Sequence, residues 1–197
     1  CPCQEATPAP MRVVPRNVTP HAEVLEFWFR ESGPKSWWAA DPAFDGRIRA
    51  RFGALHARAS GGELHAWRDS PHGRLAEIIV LDQFSRNLFR GSAAAFAQDL
   101  AALVLAQEAV AARAHLALGQ VERVFLLLPY MHSESRGIHV EAERLFREFT
   151  PAENHDFELR HKAIVDRFGR YPHRNTALGR ASTAEEVEFL KQPGSAF

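Results

Sequence analysis

A chain of 197 residues is long enough for one domain with a real core and short for two. Hydrophobic residues make up 46% and charged residues 24%, a balance that excludes a disordered chain. Lys+Arg and Asp+Glu both number 24, so the formal net charge is zero; that argues against a nucleic-acid coat or a membrane-surface binder, while leaving room for a local basic pocket.

Residues 1–20 carry five prolines and no periodic pattern, and read as a flexible N-terminal arm. Cys1 and Cys3, the only cysteines, lie there; a disulfide framework is therefore absent, which fits a reducing compartment. Cys-Pro-Cys alone is a poor metal site, and residues 1–10 read as peripheral. No basic start leads into an apolar stretch and a small-residue cleavage site. The longest apolar runs, Ile78–Leu81 and Val124–Leu128, fall far short of the roughly 20 residues of a membrane span.

Residues 21–197 read as a single all-helical domain. A short helix over His21–Arg30 carries Val24, Leu25, Phe27, Trp28 and Phe29, and Gly33-Pro34 stops it. Asp41 can cap a helix that starts at Pro42 and runs to Ser60, with Phe44, Ile48, Phe52 and Leu55 on one stripe. A short piece over Glu63–Asp69 follows, then a helix from Pro71 to Arg90 stopped by Gly91. The Ala-rich stretch 92–118 predicts one long helix, because Ala is the best helix former. Helices over Val121–Met131, Gly137–Phe149 and Ala152–Phe168 come next, and Ser182-Thr183-Ala184-Glu185 reads as a capping box for a last helix through Leu190. No period-2 strand is present. The fold class is all-α, about eight helices in antiparallel hairpins, forming either an α-superhelix or a compact bundle. Trp28, Trp37, Trp38 and Trp67 read as core residues.

Three polar blocks stand out. In Leu81–Arg90, helical spacing pairs Asp82 with Arg86 and Gln83 with Asn87. These are either a solvated face with a salt bridge or the floor of a pocket, for Gln, Arg and Asn make directional hydrogen bonds that solubility does not require. In Pro129–Glu134, His132 sits at a helix C-terminus, with Glu134 close enough in sequence to orient it for acid–base work or simply to pair with it. In the third block, His161 to Asn175, Arg167, Arg170 and Arg174 surround His173 in a Gly- and Pro-punctuated loop. Gly169 permits left-handed backbone, and Pro172 makes Tyr171 extended. Three arginines suit a phosphate or carboxylate; equally, they can pair with buried acids such as Asp82 or Glu134 and tie helices together. The phosphate-loop, Gly-x-Ser-x-Gly and His-Glu-x-x-His patterns are absent. No spacing supports a metal site at His132, His161 and His173, and no cofactor is implied.

The blocks Leu81–Arg90, Tyr130–Glu134, Arg167–Asn175 and Pro193–Phe197, with Glu26–Phe29 and Trp37-Trp38, resemble the signature blocks of the bacterial domain-of-unknown-function family 924. The resemblance covers residues 22–197. It implies a tetratricopeptide-like helical fold and a stand-alone cytoplasmic protein, and no established activity. Ser85 stands where Pro is more usual in that family, and Ala196 where Ser is usual.

Two functional expectations follow. One is a pocket for a small anionic ligand, with Asp82, Gln83, Arg86, Asn87, Arg170, Arg174 and Asn175 binding it, and His132, Glu134 and His173 as catalytic residues. The other is a peptide- or protein-binding groove between paired helices, with the polar blocks as structural networks. Binding to RNA through the arginines is the least favoured, because the net charge is zero.

Overall fold

Helical periodicity accounts for the architecture. The computed structural model describes residues 19–196, and no strand occurs among them. The arm expected over residues 1–20, including Cys1 and Cys3, and the terminal Phe197 lie outside the described residues, apart from Thr19 and Pro20, where the first helix begins.

The helices are α1 (Pro20–Glu26), α2 (Pro34–Trp37), α3 (Pro42–Ser60), α4 (Pro71–Ile79), α5 (Ser85–Leu88), α6 (Asp99–Ala111), α7 (Gln120–Met131), α8 (Arg136–Phe149), α9 (Ala152–Phe168) and α10 (Ala184–Phe189). Several start at the proline the sequence offers, which is preorganised for a first turn. Asp41 caps α3 by accepting from the Ala43 amide at 2.9 Å, and Ser70 caps α4 through the Gly73 amide at 3.0 Å. Helices adjacent in sequence pack as neighbours from α6 through α9.

α4 and α5 are one continuous helix interrupted by a π-helical stretch, Val80–Phe84. Residues 75–85 are buried without a break. A helix sealed on all sides is the centre of a fold, not its surface. Around it packs an aromatic core of Phe27, Trp28, Phe44, Phe52, Phe84 and Phe125, with the Phe27–Phe52 and Phe52–Phe84 rings 5.0 Å apart.

Four expectations change. The single helix over 92–118 is three pieces: a 3-10 turn at Ala93–Phe96, α6, and a second 3-10 turn at Ala114–Ala117, entered through a left-handed Arg113 with φ 58°. Helix propensity is local, and the need to bring Phe96 and Asp99 inward overrides it here. Ala93–Ala111 is also long and apolar enough to cross a membrane by length and composition, although charges at Asp99 and Glu108 keep it from reading as an apolar run; its inner face, Ala102, Leu103, Ala106 and Ala109, packs in the core. The final capping box is one residue later than expected: Thr183 and Glu186 cap each other's backbone amides. Trp38 is 63% exposed and stacks on Phe125 from outside, so it is not a core residue.

Two glycines give a direct test of the packing. A Cβ at Gly73 would stand 2.0 Å from the Trp67 carbonyl oxygen, whereas one at Gly53, inside α3, meets nothing within 4 Å. Gly73→Ala should therefore lower stability by about 3 kcal/mol, and Gly53→Ala should raise it by about 0.5–1 kcal/mol. Urea unfolding followed by circular dichroism checks both.

Candidate functional site

The π-helical stretch determines which groups turn inward. One residue more per turn lets Asp82 and Gln83 both point into the interior, and both are buried. Such π-bulges recur at functional sites. The solvated-face reading of this block is thereby corrected. Ser85, where the resemblance led to Pro, donates its one proton to the Leu81 carbonyl and so accepts from His56 Nε2 at 2.7 Å.

Asp82 gathers its partners at close range. Its Oδ1 meets His132 Nδ1 at 2.7 Å and accepts from Arg86 Nη1 at 3.1 Å; its Oδ2 accepts from Gln83 Nε2 at 2.6 Å. Burial pushes the Asp82 carboxyl up, but the Arg86 guanidinium and His132 outweigh it and hold the group well below the usual carboxylate range. An ionised carboxylate only accepts, so His132 Nδ1 carries the proton. Burial first, and then the Arg86 charge, keep His132 below its ordinary value. At neutral pH it is therefore a neutral imidazole with its lone pair on Nε2. That nitrogen hydrogen-bonds to no described residue and is not among the sealed polar atoms, and the side chain is 14% exposed.

Arg86 runs from Asp82 to Asp99, donating to the two Asp99 oxygens at 2.9 and 3.1 Å. Arg174 reaches the same Asp99 at 3.1 Å. The Phe96 ring lies under both guanidinia, 5.7 Å from Arg86 and 4.6 Å from Arg174.

The C-terminus of α7 explains why the second and third blocks meet. The last carbonyls of a helix have no helical partners. The Tyr171 hydroxyl donates to the Met131 carbonyl at 2.5 Å, Arg174 to that of His132 at 3.0 Å, and His139 Nε2 to that of Ser133 at 2.8 Å. The loop behind α9 has the conformation expected of it: Gly169 is left-handed at φ 70° and Tyr171 is extended. His139 Nδ1 meets Glu158 Oε1 at 2.7 Å, both side chains fully buried. Burial pushes the Glu158 carboxyl up, and its second oxygen has no partner.

The expected site residues thus divide. Asp82, Gln83, Arg86, His132 and Arg174 come together, and the His173 ring tilts over Tyr171 at 5.6 Å, beside Arg174. Glu134 does not orient His132: it accepts from Arg180 at 2.6 and 2.9 Å and from the Tyr171 amide at 2.8 Å. Arg170 is held by Glu186 at 2.7 and 2.8 Å, and Asn175 donates to Ser182 and Glu186. Asn87 turns away to Asp45 at 2.8 Å, which Arg90 also grips. Arg167 pairs at the surface with Glu185. Asp99, Phe96, His139, Glu158 and Arg180 belong to these networks and were not foreseen. Asp99 and Glu108 are the two acids of an Ala-rich segment, and nothing in the sequence marks Asp99 out from Glu108.

Among the described residues no group of three or more His, Cys, Asp and Glu is arranged to hold a metal ion. Two surface depressions lie elsewhere, one of about 430 Å³ beside Asn87 and Arg49 and one of about 510 Å³ beside His21 and His72.

The sequence pattern of a family described as a bacterial protein of unknown function, DUF924, matches residues 24–194, and the chain belongs to that family. It is also similar to a solved protein of unknown function from Agrobacterium tumefaciens, 36% identical over 87% of this chain and 96% of that one, with a TM-score of 0.83. No curated protein matches the chain.

The buried histidines predict a pH dependence of stability. Burial lowers His161 to about 3 and His173 to about 4, and also lowers His21, His56, His115 and His132 from 6.5. The unfolded chain then binds more protons than the folded one below pH 6.5, so stability is full above that value and is lost as pH falls through the window from 6.5 towards 3. Glu158, pushed up, works in the opposite sense but is one group against six. At pH 5, His161 alone should cost about 2 kcal/mol, at ~1.4 kcal/mol per pH unit below 6.5. His161→Gln should flatten the slope of unfolding free energy against pH by roughly one proton, measured by urea titrations from pH 7.5 to 4.5.

Proposed function

We propose that the chain binds a small anionic ligand, carrying a phosphate or a carboxylate, where the Asp82–His132 dyad reaches the surface, and that His132 is its acid–base group. The single observation that carries this reading is the open Nε2 of a histidine whose Nδ1 is held by a buried, ionised carboxylate at 2.7 Å. A histidine held in one tautomer with its other nitrogen exposed is prepared to take a proton from a bound molecule and return it. Asp82 is the orienting partner. Arg86, with its side chain 22% exposed, supplies positive charge at the rim, and Arg174 supplies it from below. Glu134 and His173 take other parts: Glu134 anchors the Tyr171 loop through Arg180, and His173 forms a wall.

Many proteins bury ion pairs for packing alone, and most of the arginine donors here already serve internal acids. The feature that points beyond packing is the histidine, since an unused basic nitrogen contributes nothing to stability.

The test is a thermal-shift screen of the full chain against phosphorylated and carboxylated metabolites, repeated on His132→Asn and Arg174→Lys. A ligand of the site should stabilise the wild type and bind Arg174→Lys roughly ten- to a hundredfold more weakly, the loss of a charge-assisted fork. Any turnover should disappear in His132→Asn, and in the wild type it should rise with pH through a value below 6.5. A hit that survives both substitutions unchanged overturns the reading.

A further inference from the structure

The groups that pack against Arg86 and Arg174 on the side away from Asp82 come from one short segment, residues 91–99. Asp99 lies between Arg86, which donates to both of its carboxylate oxygens as guanidinium forks do, and Arg174, which donates to one of them. Phe96, three residues earlier, forms the floor under both guanidinia. We propose that the segment 91–99 is an internal occupant of the anion site: Asp99 holds the position of a ligand carboxylate, and the ligand displaces it. This deepens the reading of the His132 site and rests on it.

Four observations support displacement. Residues 91–94 are exposed, and of the segment only Ala95 is buried. Gly91 is left-handed at φ 78° with open space around it, a pivot at the junction with α5. Arg174 is buried, yet its Nε–H has no partner, so the closed arrangement leaves this guanidinium under-satisfied. The Asp99 contact to it is long at 3.1 Å and uses one oxygen. A buried donor without an acceptor is destabilising, and a ligand with better reach satisfies it.

The charges set the class of ligand. With Asp99 in place, Asp82 and Asp99 balance Arg86 and Arg174. With Asp99 withdrawn, the site keeps two cations and one anion and attracts a single negative charge. The planar geometry matches a carboxylate.

Acetate is the Asp99 side chain without its backbone and serves as the probe. In Asp99→Ala, acetate should raise the melting temperature saturably and at least about fivefold more than chloride at equal ionic strength. The Asp99→Ala, Arg174→Lys double variant should lose that response. In the wild type, acetate well above the concentration that saturates Asp99→Ala should speed amide hydrogen exchange of residues 91–99 by about fivefold or more, while α7 and α8 are unchanged. Acetate no better than chloride in Asp99→Ala shows that the slot takes no carboxylate and overturns the inference, while a phosphate ligand of the His132 site would survive. Rescue of Asp99→Ala with no change of exchange in the wild type also overturns it, since Asp99 is then a fixed structural group. Should Asp99→Ala not fold, the wild-type exchange measurement decides: unchanged exchange overturns the inference.

Discussion

Taking the Asp82 carboxylate out of water costs several kcal/mol, and that cost dictates what surrounds it. Asp82 is 1% exposed. It remains ionised only because Arg86 comes up one turn later on the same helix, His132 comes from the end of α7, and Gln83 closes the remaining oxygen. Each partner brings its own requirement. Arg86 needs a second acid and finds Asp99; Asp99 admits Arg174; Arg174 fixes the loop that follows α9. Removing one member leaves an uncompensated buried charge, and such changes cost about 3–5 kcal/mol. Each of these charged side chains therefore depends on the others for its place.

The second constraint is the C-terminal end of α7. Three successive carbonyls there must be satisfied inside the protein, and three side chains from α8 and the loop after α9 do it. This places Tyr171 and Arg174 without any reference to a ligand. The negative end of the helix dipole also favours the Arg174 charge. Structure and candidate function thus draw on the same residues, and so a polar block can be read either way from sequence alone.

Much of the fold was legible. The prolines and caps at Asp41 and Ser70, the stripe through Phe44, Ile48 and Phe52, and the left-handed Gly169 are local signals, and local physics enforces them. The division of 92–118 was not legible, because nothing local tells an Ala-rich helix to break; the break follows from where Asp99 must go. The site was half legible. Residue types marked Asp82, Arg86, His132 and Arg174. The partners were assigned wrongly because sequence neighbours stood in for spatial ones: Glu134 is two residues from His132, yet it answers to Arg180, while Asp82, fifty residues away, takes the histidine. The π-helical stretch was invisible, and it is what turns Asp82 and Gln83 inward together.

Zero net charge holds locally as well as overall. Asp45 faces Arg90, Glu134 faces Arg180, Glu186 faces Arg170, and Asp82 with Asp99 faces Arg86 with Arg174. In the first three clusters each charge has its counter-charge, and both carboxylate oxygens are engaged by donors. Those clusters are complete as packing. The fourth differs in two atoms: an imidazole nitrogen with no hydrogen-bond partner among the described residues, and a buried arginine N–H with no acceptor. Neither is needed to neutralise a charge or to close a helix. Buried polar atoms without partners occur elsewhere too, at Trp28 and Glu158, so the unmet arginine N–H counts only together with the histidine nitrogen beside it. The two lie in the network whose second anion, Asp99, follows the exposed residues 91–94. That combination, rather than the number of arginines, separates a candidate site from three salt-bridge clusters of similar composition.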